Sequence, residues 1–175
     1  MLSERMVEAL NEQINREVYS AYLYLSMSAH STFQGLEGFA NWFRVQYQEE
    51  MRHALKIYDY IADQGERVEL KAIQKPPVNF GSPLEMFKKT LEHEKFVTKC
   101  INDLVDLAVD EGDHATEIFL QWYVTEQIEE EANDTRIISK LKLVGEEGRG
   151  LFLVDKELGT RGSQQFKGSQ ENMSE

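Results

Sequence analysis

The chain has 175 residues, a length that suits one domain, and 41% of them are hydrophobic, enough to build a core. Its formal charge is -12 with a pI near 4.8. That balance argues against nucleic-acid binding, which needs a basic footprint, and suits partners that are cations.

The N-terminus, MLSERMVEALNEQ, lacks the long apolar run of a signal peptide. Residues 4–33 carry one helical stripe: Leu10, Ile14, Glu17, Ala21, Tyr24, Leu25 and Ser28. Residues 18–36 contain no Asp, Glu, Lys or Arg, but their serines, Thr32 and Gln34 make them too polar to cross a membrane. QGLEG at 34–38 reads as a turn. A second helix follows over about 39–65, ending at Gly65, with Phe39, Trp42, Phe43, Gln46, Glu50, His53, Ala54, Ile57 and Ile61 at helical spacing.

Residues 66–83 show no sustained period, and Pro76, Pro77 and Gly81 mark a long connection. Ser82-Pro83-Leu84-Glu85 then opens a third helix with a capping serine, a proline at its first position and a glutamate at its third. It runs to about 110, with Phe87, Leu91, Glu94, Thr98, Ile101, Val105 and Ala108 in its stripe. DEGDH at 110–114 is a short turn. A fourth helix covers about 115–144, aligning Phe119, Tyr123, Gln127, Glu130, Asp134, Ile137 and Leu141. Residues 151–158 suit a short fifth helix. Two short turns flanking one long crossover give an all-α four-helix bundle. Its domain spans residues 1–160, and 161–175 reads as a disordered tail. The lone Cys100 rules out an intrachain disulfide and fits a reducing, cytoplasmic compartment.

Each long helix carries an acid on its core-facing stripe: Glu17, Glu50, Glu94 and Glu130. Gly35 lies 18 residues from both Glu17 and His53, and Gly112 lies 18 residues from both Glu94 and Glu130. In an antiparallel hairpin, residues equidistant from the turn share one height, here about 27 Å along each helix. Four carboxylates and an imidazole therefore meet near mid-bundle. A buried carboxylate is costly unless paired or metal-bound. Either shared protons or two divalent cations can neutralise the set. Oxygen ligands with one nitrogen suit iron, manganese or zinc.

Glu50-x-x-His53 puts two ligands on one helix face. Glu50 is the expected bridge between two ions, with Glu17 and His53 on the first and Glu94 and Glu130 on the second. Gln127 precedes Glu130 by one turn and faces the same place. Glu49, Glu126, Glu129 and Glu130 form a candidate third, weaker site. Tyr24, two turns after Glu17, is placed to donate an electron or a hydrogen bond. Trp122 and Tyr123 read as packing, and His30, His93 and His114 as surface or boundary histidines.

NREVYSAYLYLSM at 15–27, QEEMRHA at 48–54, EHE at 92–94 and FLQWYVTEQIEEE at 119–131 resemble the non-haem bacterial and archaeal ferritins. The resemblance covers about residues 3–160. It implies a di-iron ferroxidase centre that oxidises Fe(II) with dioxygen or peroxide. It also implies a hollow homo-oligomeric shell, usually of 24 subunits, that stores ferric mineral. The family's ligands map onto Glu17, Glu50, His53, Glu94 and Glu130, with Gln127 beside them, and its third iron site onto Glu49, Glu126, Glu129 and Glu130. Haem-containing relatives carry a second Glu-x-x-His, which here reads Gln127-x-x-Glu130. Their haem methionine falls on Arg52, so no haem is expected. Two rivals stand beside this reading: a di-iron oxidase without storage, and an acidic helical scaffold without metal.

Overall fold

The computed structural model of the protein describes residues 2–145 and 148–162. Five helices follow in order: α1 (Glu4–Phe33), α2 (Glu37–Asp63), α3 (Pro83–Glu111), α4 (His114–Val144) and α5 (Gly148–Leu158). The four long helices form the bundle, and the described residues contain no strand. None of these helices is long and apolar enough to cross a membrane.

The helix ends follow the local chemistry. Ser3 Oγ accepts from Met6 N at 3.0 Å to open α1. Ser82 and Glu85 close a reciprocal capping box at the start of α3, satisfying two otherwise unpaired N–H groups. Gly112 ends α3 at φ 65°, in the left-handed region that favours glycine, and Asp113 then caps α4 through Thr116 N at 3.1 Å. The start of α2 has no cap of its own. Instead Asp155 Oδ1, on α5, accepts from Phe39 N at 3.0 Å. α5 comes so close that a Cβ on Gly38 would lie 1.6 Å from the Asp155 carbonyl oxygen.

The crossover between α2 and α3 lies along α1, held by polar α1 side chains in ascending order. Asn11 Oδ1 accepts from Glu69 N at 2.9 Å. Asn15 Nδ2 donates to Ala72 O at 3.1 Å, and Ser26 Oγ to Pro77 O at 2.6 Å. His30 Nε2 reaches Gly81 O at 3.1 Å. The crossover thus returns the chain to the other end of the bundle, so that α3 starts level with the C-terminal end of α1.

The core has two apolar halves. One centres on Leu10, Ile14, Ile57, Ile61, Ile101 and Leu120. The other centres on Met27, Phe39, Phe43, Met86, Phe87 and Leu141. Between them lies a belt of buried polar residues that includes Gln13, Glu17, Gln46, Glu50, His53, Glu94, Gln127 and Glu130. Leu25, expected on the buried stripe of α1, is instead exposed. It follows Tyr24 by one position, about 100° around the helix, so it turns away as Tyr24 faces the core. Arg161 makes defined contacts with α2, and of the expected tail at 161–175 all but residues 161 and 162 lies outside the described residues.

Candidate metal centre

The polar belt is built by all four long helices. Glu17 comes from α1, Glu50 and His53 from α2, Glu94 from α3, and Gln127 and Glu130 from α4. All six are buried. Helical register brings them together, as the equal distances from Gly35 and Gly112 require.

Glu17, Glu50 and His53 offer ligand atoms that lie within 4.8 Å of one another. His53 Nδ1 is 3.4 Å from Glu50 Oε2 and 3.9 Å from Glu17 Oε2. His53, Glu126 and Glu130 form a second such group, with His53 Nε2 3.9 Å from Glu126 Oε2. His53 thus faces both groups, with Nδ1 toward Glu17 and Glu50 and Nε2 toward Glu126. Glu94 shares the interior but joins neither group. Tyr24 OH donates to its Oε1, and Gln127 Nε2 donates to its Oε2 at 3.0 Å. Of the outer acids, Glu126 is half-buried and Glu129 exposed. Glu49 is held by Arg161 and lies 3.6 Å from Arg52 Nη2.

Side-chain amides orient the acids. Gln13 Nε2 donates to Glu17 Oε1 at 2.7 Å. Gln46 Nε2 donates to both Glu50 Oε1, at 3.1 Å, and Glu130 Oε2, at 2.9 Å. Tyr123 OH donates to the His53 carbonyl at 2.8 Å, and the Trp122 ring meets His53 edge-on, 5.3 Å between centroids. Trp122 and Tyr123 therefore position His53 as well as pack. Gln13 had a readable signal, since it precedes Glu17 by one turn. Arg161 had none, because nothing in the sequence around it marks a site on α2.

The electrostatics show what this assembly lacks. Burial pushes the Glu17 carboxyl up to about 8, helped by the neighbouring Glu50 charge. Burial also raises Glu130 to about 7, with the Glu94 charge adding to it. Glu50 is raised by burial and then by Glu94 and Glu130, and Glu94 is raised chiefly by burial. Asp134, one turn beyond Glu130, is a further buried acid, raised by burial to about 9. Neither of its oxygens has a hydrogen-bond partner, and Glu17 Oε2 has none either. Ionised together, these groups need positive charge among them. Hard oxygen donors plus one imidazole fit iron, manganese or zinc, and the unpartnered Glu17 oxygen supplies a free lone pair for one. His93, beside Glu94, is pushed down to about 4 by burial, and its Nε2 lies 2.8 Å from Ser20 Oγ. It is of intermediate burial, at the boundary position expected of it.

A four-helix bundle with a carboxylate-rich interior and a Glu-x-x-His pair defines a carboxylate-type metal-binding bundle protein. Residues 7–144 match the Ferritin-like domain family. The chain is 47% identical over 156 residues to the bacterial non-heme ferritin of Campylobacter jejuni, covering 89% of this chain and 93% of that one. It is 44% identical over 161 residues to the bacterial non-heme ferritin of Bacteroides fragilis, covering 92% of this chain and all of that one. Its fold superposes on an open pore ferritin from the hyperthermophilic archaeon Archaeoglobus fulgidus with a TM-score of 0.91 and 54% identity, covering 92% of this chain and 99% of that one. The chain belongs to the ferritin-like family, among the non-haem ferritins.

Proposed function

We propose that this protein takes up Fe(II), oxidises it at the mid-bundle carboxylates, and keeps the ferric product inside a cytoplasmic shell of its own copies. The observation that carries this reading is the group Glu17, Glu50 and His53, buried together with one carboxylate oxygen left unpartnered. The similarity to non-haem ferritins along almost the whole chain supports the same chemistry.

In this reading Fe(II) is the substrate. Glu17, Glu50 and His53 hold one ion, and Glu130 with Glu94 a second, Glu50 lying between them. Glu126 and Glu129 complete an outer site with Glu49 and Glu130. The acids that burial holds protonated give up those protons as Fe(II) arrives, so uptake releases acid. Gln13, Gln46 and Gln127 keep the carboxylates aimed inward through their amide N–H groups. Tyr24 steadies Glu94. Two Fe(II) ions give one electron each, and dioxygen with two protons becomes hydrogen peroxide. Oxygen donors without a second histidine hold the second ion loosely, which lets the oxidised product move on to storage. Gln127 in place of a histidine and Arg52 at the haem position leave no role for haem.

Two measurements test the proposal. Replacing Glu50 and His53 together by Ala removes two of the three grouped ligands, and Fe(II) oxidation followed by absorbance should fall at least tenfold, roughly the loss of one good ligand contact. Light scattering separates storage from a simple oxidase: a shell is many times heavier than the roughly 40 kDa of two 20.3 kDa chains. Unchanged oxidation or a dimeric protein would overturn the reading.

A further inference from the structure

The outer acids already have a cation of their own. Arg161 follows α5, and its guanidinium lies along one face of α2, over positions 42, 46 and 49. Its Nη1 donates to Gln46 Oε1 at 2.8 Å, and its Nη2 pairs with Glu49 Oε2. Its carbon sits 4.4 Å over the Trp42 ring centroid. The backbone at this point is fixed as well, since Asn41 Nδ2 donates to Arg161 O at 3.0 Å. A planar fork that bonds two acceptors while stacking on an aromatic face is a guanidinium geometry that lysine cannot copy.

This contact is placed where it interferes with metal. Arg161 and Glu49 line the same cavity as His53, Glu126, Glu129 and Glu130. The Arg161 and Glu49 side chains are 22% and 17% exposed, so the pair is only partly screened by water. Glu49 thus has arginine at both oxygens, the partly buried Arg161 at Oε2 and the largely exposed Arg52 3.6 Å from Oε1, and the less screened Arg161 is the stronger of the two. Glu126 has only the His53 ring nitrogen, at 3.9 Å, and among the described residues neither Glu126 nor Glu129 is paired with an arginine or lysine.

We propose that Arg161 is a tethered counter-cation for the outer site, which holds Glu49 while that site is empty and must release it before a divalent ion can use the carboxylate. The proposal rests on the outer-site assignment made above. It sets an order of filling: the buried Glu17, Glu50 and His53 group, which no arginine pairs with among the described residues, fills first, and the outer site fills last.

The test uses the full, iron-free assembly titrated with Zn(II) by isothermal calorimetry, because zinc binds the same donors without redox chemistry. The unmodified protein should show a tighter class of sites and a weaker one. R161A should tighten the weaker class on the order of fivefold, the value of a partly exposed ion pair, and leave the tighter class within about twofold. R161Q, which keeps a planar group against Trp42, should do the same, and R161K, which keeps the charge without the fork, should fall between R161A and the unmodified protein. In an E49Q background, R161A should no longer tighten the weaker class. An unchanged weaker class, a loosening of both classes, or the same R161A effect with Glu49 removed would each overturn the proposal. If the unmodified protein lacked the tighter class, the metal-centre reading itself would fall, a result distinct from all of these.

Discussion

The Gln46 amide of α2 donates to the Glu130 carboxylate of α4 across the bundle, Nε2 to Oε2, at 2.9 Å. The same nitrogen serves Glu50 at 3.1 Å. Gln46 Oε1 is committed to Arg161, so the amide cannot turn over without losing all three contacts. One neutral side chain therefore steadies acids on two helices.

Loss of that donor should show as a pH effect on metal binding. The Gln46 hydrogen bond lowers the proton affinity of both Glu50 and Glu130, against the larger upward pull of burial. In Gln46→Leu both carboxyls keep their protons to higher pH. Zinc affinity should fall on the order of tenfold at pH 6, the value of a bond to a charged group, and much less at pH 8. An equal loss at both pH values would contradict the role.

The metal-free protein should become less stable as pH rises. Unfolded, Glu17 ionises near 4.5; folded, it holds its proton to about 8. Between those values the native state binds the extra proton, so stability falls with increasing pH, by at most about 1.4 kcal/mol per unit for one such group. Thermal midpoints of the metal-free protein should drop from pH 5 to pH 8. Glu17→Gln should flatten that slope, and Zn(II) at a hundred times its Kd should add about 2.7 kcal/mol at pH 8. A midpoint that rose with pH would remove the basis for this account.

Asp134 offers a stabilising substitution. Its pKa rises from 3.8 to about 9 through burial, and both oxygens lack partners. Its cost to the native state therefore grows from about pH 4 to about pH 9. Asp134→Leu, on the same buried face of α4 as Ile137, Ile138 and Leu141, should raise the unfolding free energy at pH 8 by a few kcal/mol, at most the pKa difference multiplied by about 1.4 kcal/mol per unit. The gain should shrink at pH 5. Equal gains at both pH values would point to packing alone.

Gly38 is a position where only glycine fits. A Cβ there would lie 1.6 Å from the Asp155 carbonyl oxygen. Gly38→Ala should push α5 off the start of α2, remove the Asp155 cap and cost about 1–3 kcal/mol. Because Arg161 follows α5, the same variant should also tighten zinc binding at the outer site. A variant as stable as the parent, with intact helix content by circular dichroism, would refute the docking argument.

The acids were legible in the sequence because helical period and equal distance from two turn glycines are one-dimensional facts. Those alone placed Glu17, Glu50, His53, Glu94 and Glu130 in one interior layer, and the structure places all five there. The capping box at Ser82 was legible for the same reason, being a short-range pattern. Register does not say which way a ring or carboxylate turns. So the sequence could not show His53 facing two groups, or Glu94 taken up by Tyr24 and Gln127. Arg161 contacts residues 112 and 115 positions away in the chain, and no local pattern carries a contact of that range. Asp134 fell on the predicted stripe, but a buried acid without partners is visible only once its neighbours are known.

The cap on α2 is lent by a helix near the other end of the chain. As the polypeptide leaves the ribosome, Asp155 and Arg161 emerge after everything they hold. The segments of the four long helices and their inner acids are therefore made before the residue that caps the first turn of α2 and the residue that covers Glu49. Detachment of the C-terminal helix would take away both the cap on α2 and the arginine over Glu49 while leaving the inner acids in their own four helices.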